Sequence, residues 1–225
     1  MNLSHRYYLQ LAAGYILGEF PKIIELFPTA LHLMEEEELT QIFNYGKESG
    51  LKLTRFKRTI ELPRVVKVIG MLQGIQPQSL LDIGTGRGVF LNPLLDAFPN
   101  LPITCIDVLD YRIDALRTLN RGGITNINPL IMDACHLEFD SESFEVVTVL
   151  EVLEHITDLN TALSEICRVA KEYVIFSVPS KEDDNPEHIH LFTQDTLKEL
   201  FGKNGFNKVK ITQVLNHIIG LARRN

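Results

Sequence analysis

Residues 79–90 run Ser-Leu-Leu-Asp-Ile-Gly-Thr-Gly-Arg-Gly-Val-Phe. The apolar stretch Leu80–Ile83 has the length of a short buried strand, and Gly84, Gly86 and Gly88 turn it into the amphipathic segment 89–98, a predicted helix. Glycines at such a turn permit a tight bend and let a ligand approach backbone N–H groups beside a helix N-terminus. Val89 stands where G-x-G-x-x-G would need its last glycine, which counts against a nicotinamide-dependent reductase. The spacing is D-x-G-x-G-x-G instead, with Asp82 inside an apolar strand. A buried carboxylate needs a cation or several donors, so Asp82 serves either a structural ion pair or a ligand.

From this stretch to the C-terminus, strands and helices alternate. Segments 102–108, 127–134, 144–152 and 173–179 read as further strands. Segments 111–123, 158–170 and 193–206 read as helices, the last two capped by Asp158 and Thr193 and the last stopped by Gly205. Segments 206–214 and 217–224 are two strands close enough to pair antiparallel. The alternation predicts an α/β fold: a doubly wound, mostly parallel seven-stranded sheet with helices on both faces and an antiparallel last strand.

Residues 1–60 differ. They hold helical segments with little strand signal and are expected to form an N-terminal helical cap on a domain spanning 61–225. The acidic run Glu35–Glu38 opens a helix that continues through Leu39, Ile42 and Phe43. Tyr7, Tyr8, Tyr15, Phe20 and Phe27 either line a pocket beneath the cap or pack in the core, and packing is the commoner fate. Between Lys52 and Lys67 the charge reverses: Lys52, Arg55, Lys57, Arg58, Arg64 and Lys67 face only Glu61. That stretch is either a solvated basic flank or a patch that meets an anionic substrate.

Two more acids follow strands. Asp107 ends the second strand, where a carboxylate can accept both hydroxyls of a ribose, and Asp133 with the small Ala134 ends the third. Together with Asp82-x-Gly84-x-Gly86-x-Gly88, the block from Phe144 to Ile156 and the Glu187–Thr193 stretch, these residues resemble the class I S-adenosylmethionine-dependent methyltransferases over about residues 60 to 225. The resemblance implies S-adenosyl-L-methionine as cofactor. It implies Asp82 near the methionine ammonium, with Gly84, Thr85, Gly86 and Gly88 along the methionine path. It implies Asp107 on the ribose, Val108 beside the adenine, Asp133 and Ala134 at the adenine edge, and Leu150 with Glu151 near the methyl group. Arg87 is bulkier than the residue usual at its place in the loop, and the first sixty or so residues match no part of the family.

Methyl transfer from a sulfonium is an in-line displacement, so the protein mainly aligns and excludes water, and a base is needed only where the acceptor loses a proton. Glu151, Glu154 and His155 follow the fourth strand, and His188 and His190 the fifth, at the sheet end where open α/β folds bind ligands. Glu151, His155 and His190 are the expected catalytic residues. The same Glu151, Glu154, His155 and His190 set also resembles the metal site of small-RNA 2′-O-methyltransferases, which makes metal-assisted RNA methylation an alternative. A non-catalytic S-adenosylmethionine-binding regulatory protein is another.

Composition narrows the acceptor. The 225 residues carry 22 Lys+Arg against 29 Asp+Glu, a net charge of -7, which argues against a nucleic-acid partner and favours a small-molecule acceptor with a hydroxyl or amine. Cys105, Cys135 and Cys167 are few and scattered, as expected of reduced thiols in a cytoplasmic protein. No apolar run approaches the roughly 18 residues of a membrane span. The segment Lys181–Pro186 is expected to be a polar loop near the acceptor.

Overall fold

The computed structural model describes residues 3–56, 62–182 and 184–225. Lys57, Arg58 and Glu61 of the basic stretch and Asp183 of the polar loop lie outside the described residues. Seven strands form one sheet: β1 (Leu80–Ile83), β2 (Ile103–Asp107), β3 (Ile127–Ile131), β4 (Phe144–Leu150), β5 (Ala170–Pro179), β6 (Lys208–Val214) and β7 (His217–Arg223). Their order is β3-β2-β1-β4-β5-β7-β6, and β7 alone runs against its neighbours. The sheet therefore has the predicted class and the predicted reversed last strand. The chain crosses from one half of the sheet to the other between β1 and β4, the switch point at which such sheets open a ligand crevice.

The helices are α1 (Leu3–Glu19), α2 (Glu36–Glu48), α3 (Pro63–Ile75), α4 (Leu91–Ala97), α5 (Asp110–Arg121), α6 (Leu159–Val169) and α7 (Gln194–Lys203). The α6 cap is Asp158, whose Oδ1 accepts from Thr161 N at 3.2 Å, and the α7 cap is Thr193, whose Oγ1 accepts from Thr196 N at 3.1 Å. The acidic start of α2 is also as expected: Glu35 N donates to Glu38 Oε2 at 3.1 Å, tying off the first turn. Two apolar clusters fill the two faces of the sheet, one centred on α6, α7 and the β4–β5–β7 face, the other joining α1, α2, α3, α4 and α5.

The described N-terminal residues pack onto the helices of the α5 side of the sheet. Helix α1 is apolar from Leu11 to Leu17 and is packed between α5 and α2. It meets α5 backbone to backbone: a Cβ on Gly18 would lie 2.0 Å from the Thr118 carbonyl oxygen, and one on Gly122 would lie 1.6 Å from that of Gly14. Aromatic pairs fasten the layer, with Tyr8 on Phe43, Tyr15 on Phe56 and Phe20 on Tyr45 at ring-centre distances of 5.6, 5.3 and 5.5 Å. Tyr7 and Phe27 pack against the same core. Of the two fates expected for these aromatics, packing is the observed one. No helix among the described residues is long and apolar enough to cross a membrane.

Candidate active site

A cavity of about 1040 Å³ opens at the carboxyl ends of the parallel strands, and its lining begins in sequence at Arg64 of α3. Asp82 in β1 is 3% exposed. Its Oδ1 accepts from Thr148 Oγ1 at 2.7 Å, while Oδ2 is buried with no hydrogen-bond partner. Burial pushes the Asp82 carboxyl up to about 6; the hydroxyls of Thr148 and Thr85 pull it back, and the charge of Asp107 adds to the rise.

The glycine loop bends over the end of β2. Gly84 N and Thr85 N both donate to the Ile106 carbonyl, at 2.8 and 3.1 Å, and Gly86 N donates to Asp107 Oδ2 at 2.9 Å. Gly84 has φ 69°, and a Cβ there would lie 2.4 Å from Val152 Cγ2, so both conformation and space require glycine. Asp107 also accepts from Leu109 N at 3.0 Å and from Arg112 Nη1 at 3.2 Å, and Arg112 Nε is itself buried without a partner. Sequence reading missed Arg112; its place in the first turn of α5, five residues after the strand-end acid, is the signal that marks it. Beyond Asp107 the cavity wall continues through the exposed Val108 to Asp133, whose Oδ1 accepts from Cys135 N at 2.8 Å, and to the buried Ala134.

At the opposite end, Leu150 closes β4 and Glu151 leaves it in the left-handed region, φ 56°. Glu151 Oε1 accepts from Ser177 Oγ at 2.7 Å. His217 Nδ1 stands 3.0 Å from Glu151 Oε2, at contact distance but outside hydrogen-bond geometry. His217 is the second residue that sequence reading missed. Because β7 is reversed, its first residue lies against Pro179 at the carboxyl end of β5, and so at the site.

The turn Leu153–His155 follows. Glu154 is fully buried, and its carbonyl accepts from Ile189 N and His190 N at 2.9 and 3.3 Å, which ties the loop after β5 to this turn. His155 lines the cavity; its Nδ1 donates to the Glu187 carbonyl at 3.0 Å, so in the neutral ring Nε2 keeps the lone pair. His190 is not brought to this wall: its Nε2 donates to the Ile156 carbonyl at 2.9 Å, and its neighbour Ile189 lines the cavity in its stead. The four-residue metal set is therefore not assembled, with Glu151 engaged by Ser177 and His217 and His190 by Ile156. Among the described residues, Glu154, His155 and His188 instead each offer a ligand atom within 4.8 Å of one another.

The donor set suits an adenosyl amino acid. A buried carboxylate oxygen without a donor at Asp82 matches an ammonium, and Gly84 and Gly86 of the glycine turn line the same cavity. The comparisons agree. Residues 57–211 match a family model described as a methyltransferase domain. The malonyl-[acyl-carrier protein] O-methyltransferase of Geobacter sulfurreducens is 25% identical over 177 residues, covering 69% of this chain and 64% of that protein. The ubiquinone biosynthesis O-methyltransferase of Hydrogenovibrio crunogenus is 28% identical over 118 residues, covering 51% and 48%. The chain thus spans between about half and two thirds of these relatives' length. Magnesium protoporphyrin IX methyltransferase from Synechocystis PCC 6803, solved with bound SAH, shares the fold at a TM-score of 0.60 and 16% identity, over 83% of this chain and 99% of that one. With the family model covering more than half of its length, the chain belongs to the class I S-adenosylmethionine-dependent methyltransferases.

Proposed function

We propose that the protein moves a methyl group from S-adenosylmethionine to an oxygen or nitrogen of a small-molecule acceptor by in-line displacement. The observation that carries this reading is one continuous cavity running from the unsatisfied carboxylate of Asp82 and the acid of Asp107 to Glu151 and His155. In it Asp82 takes the ammonium, while Gly84, Thr85, Gly86 and Gly88 line the methionine chain. Asp107 takes the ribose hydroxyls, Val108 the adenine face, and Asp133 with Ala134 the adenine edge. Leu150 then stands beside the methyl group, which the sulfonium of the bound cofactor makes electrophilic.

The chain's own contribution is alignment and proton handling. His155, with its Nδ1–H committed to Glu187, presents Nε2 as an acceptor for a hydroxyl or ammonium proton. Glu151, held by Ser177 and faced by His217, offers a second acceptor on the same wall. His190 acts indirectly, by pinning the loop that carries Glu187 and Ile189. Both named O-methyltransferase relatives favour oxygen as the receiving atom. Calorimetric titration with S-adenosylmethionine and S-adenosylhomocysteine, with NADH as control, tests the reading. Micromolar binding of both adenosyl ligands is expected, and binding of NADH alone would overturn it.

A further inference from the structure

Arginine is rarely left unpaired in this molecule. The described arginine side chains are held by carboxylates, as in Arg112 to Asp107, Arg168 to Glu165 and Arg223 to Glu172, or by a carbonyl or hydroxyl oxygen, with two exceptions. Among the described residues Arg64 and Arg87 have neither a hydrogen bond nor an ion pair, and both line the cavity. Arg64 opens α3, whose first turn contains no acid, and Arg87 rides on the glycine loop. A guanidinium keeps its charge at any accessible pH and presents a fork of donors matched to carboxylate or phosphate. None of the cavity's described acids is paired with either arginine; Asp107 is taken by Arg112, Glu151 by Ser177, Asp133 by the Cys135 amide and Asp158 by the Thr161 amide.

The anions that complete these two side chains therefore come with the ligands. The methyl donor brings one carboxylate and one ammonium, and the ammonium belongs with Asp82. One carboxylate occupies one guanidinium and leaves the other facing the acceptor. We infer that Arg64 and Arg87 form two anion subsites, one for the carboxylate of the donor and one for a carboxylate or phosphate on the acceptor, so that the acceptor is an anion. This rests on the methyl-transfer reading above and narrows it. A chain of net charge -7 repels an anionic acceptor at long range, and two uncompensated cations at the cavity are what would capture one.

The test uses Arg64→Gln and Arg87→Gln in the full chain, since both side chains are partly or fully exposed and neither supports packing. The first arm compares S-adenosylmethionine with decarboxylated S-adenosylmethionine, which keeps the ammonium and lacks only the carboxylate. The wild type should prefer the former by about tenfold or more, and one of the two variants should abolish that preference. The second arm titrates inorganic phosphate and acetate into protein saturated with S-adenosylhomocysteine at fixed ionic strength. Binding to the wild type should survive in the variant that lost the carboxylate preference and fall about tenfold in the other. If both variants abolish the preference, both cations serve the donor and the inference is overturned. It is equally overturned if neither does, or if the loaded wild type binds neither anion. Failure of the wild type to bind S-adenosylhomocysteine at all would instead sink the proposed function.

Discussion

Titrating Asp82 should switch cofactor affinity within an accessible pH range. The carboxyl is raised to about 6 because it is buried, and only its ionised form can pair with an ammonium. An α-amino group stays protonated through this window, its ordinary value being near 8. If ligand binds only the ionised form, the apparent Kd is multiplied by the ratio of total to ionised Asp82. That factor is about 1.1 at pH 7, about 2 at pH 6 and about 11 at pH 5, a loss of about 1.4 kcal/mol between the extremes. The assay is calorimetry with S-adenosylhomocysteine from pH 5 to 7 at constant ionic strength, alongside Asp82→Asn. Asparagine still accepts from Thr148 but carries no charge, so its affinity should be low, by about 2 kcal/mol, and flat with pH. The ligand-free protein should respond in the opposite sense. An acid whose folded value lies above its unfolded one binds its proton more tightly when folded, so its contribution to stability is most favourable below about 4. That contribution declines as pH rises through about 6, by about 3 kcal/mol for a rise from 3.8 to about 6. Asp82→Asn should thus stabilise the empty protein above pH 6 while weakening its ligand. A pH-independent wild-type affinity, or an asparagine variant that binds as tightly as wild type, would refute the pairing of Asp82 with the ammonium.

Asp107→Ala should weaken S-adenosylhomocysteine by about 1–3 kcal/mol in the same calorimeter, by removing the acceptor for the ribose and releasing Arg112 and the Gly86 amide; unchanged affinity would displace the ribose from this acid. Gly122→Ala should lower the unfolding free energy by about 1–3 kcal/mol or more in denaturant titration, because its new methyl meets the Gly14 carbonyl, yet leave cofactor affinity unchanged since this contact is remote from the cavity lining. His190→Ala should keep cofactor affinity within about twofold while speeding hydrogen exchange in 187–192, the loop it pins to Ile156; a large loss of affinity would mean that His190 reaches the ligand.

The parts of this site that the sequence disclosed are those built within one strand-to-helix passage. Gly84 is required by a local φ, and Asp158 and Thr193 cap their helices across three residues; such signals survive without knowledge of the fold. Asp82 announced itself by contradiction, as a charge inside an apolar run. What escaped depends on which way a loop side chain turns and on partners far along the chain. His188 and His190 share a loop, yet His190 is spent on the Ile156 carbonyl while His188 stands beside His155. The docking of α1 was hidden for a related reason. Nothing local to Gly14 and Gly18 marks a contact, and only the facing Thr118 and Gly122 of α5 show that they are its contact surface.

The reversed last strand explains how Glu151 comes to be faced by a histidine from within the sheet. Parallel strands deliver their carboxyl ends to the crevice, so a residue just past a strand end must be held in place by something else. Glu151 is such a residue, leaving β4 with a left-handed backbone that no regular hydrogen-bond pattern enforces. Its backbone N–H is caught by the Ser177 carbonyl at 2.9 Å and its carboxylate by the Ser177 hydroxyl, which fixes it from the neighbouring strand. The remaining oxygen can be met from within the sheet only by a strand that begins at this end. In this sheet that strand is β7, and its first residue is His217. A histidine so placed faces the second carboxylate oxygen at 3.0 Å. The antiparallel strand thereby brings its first residue to the end of the sheet where Asp82, Asp107, Leu150 and Ser177 of the parallel strands line the cavity.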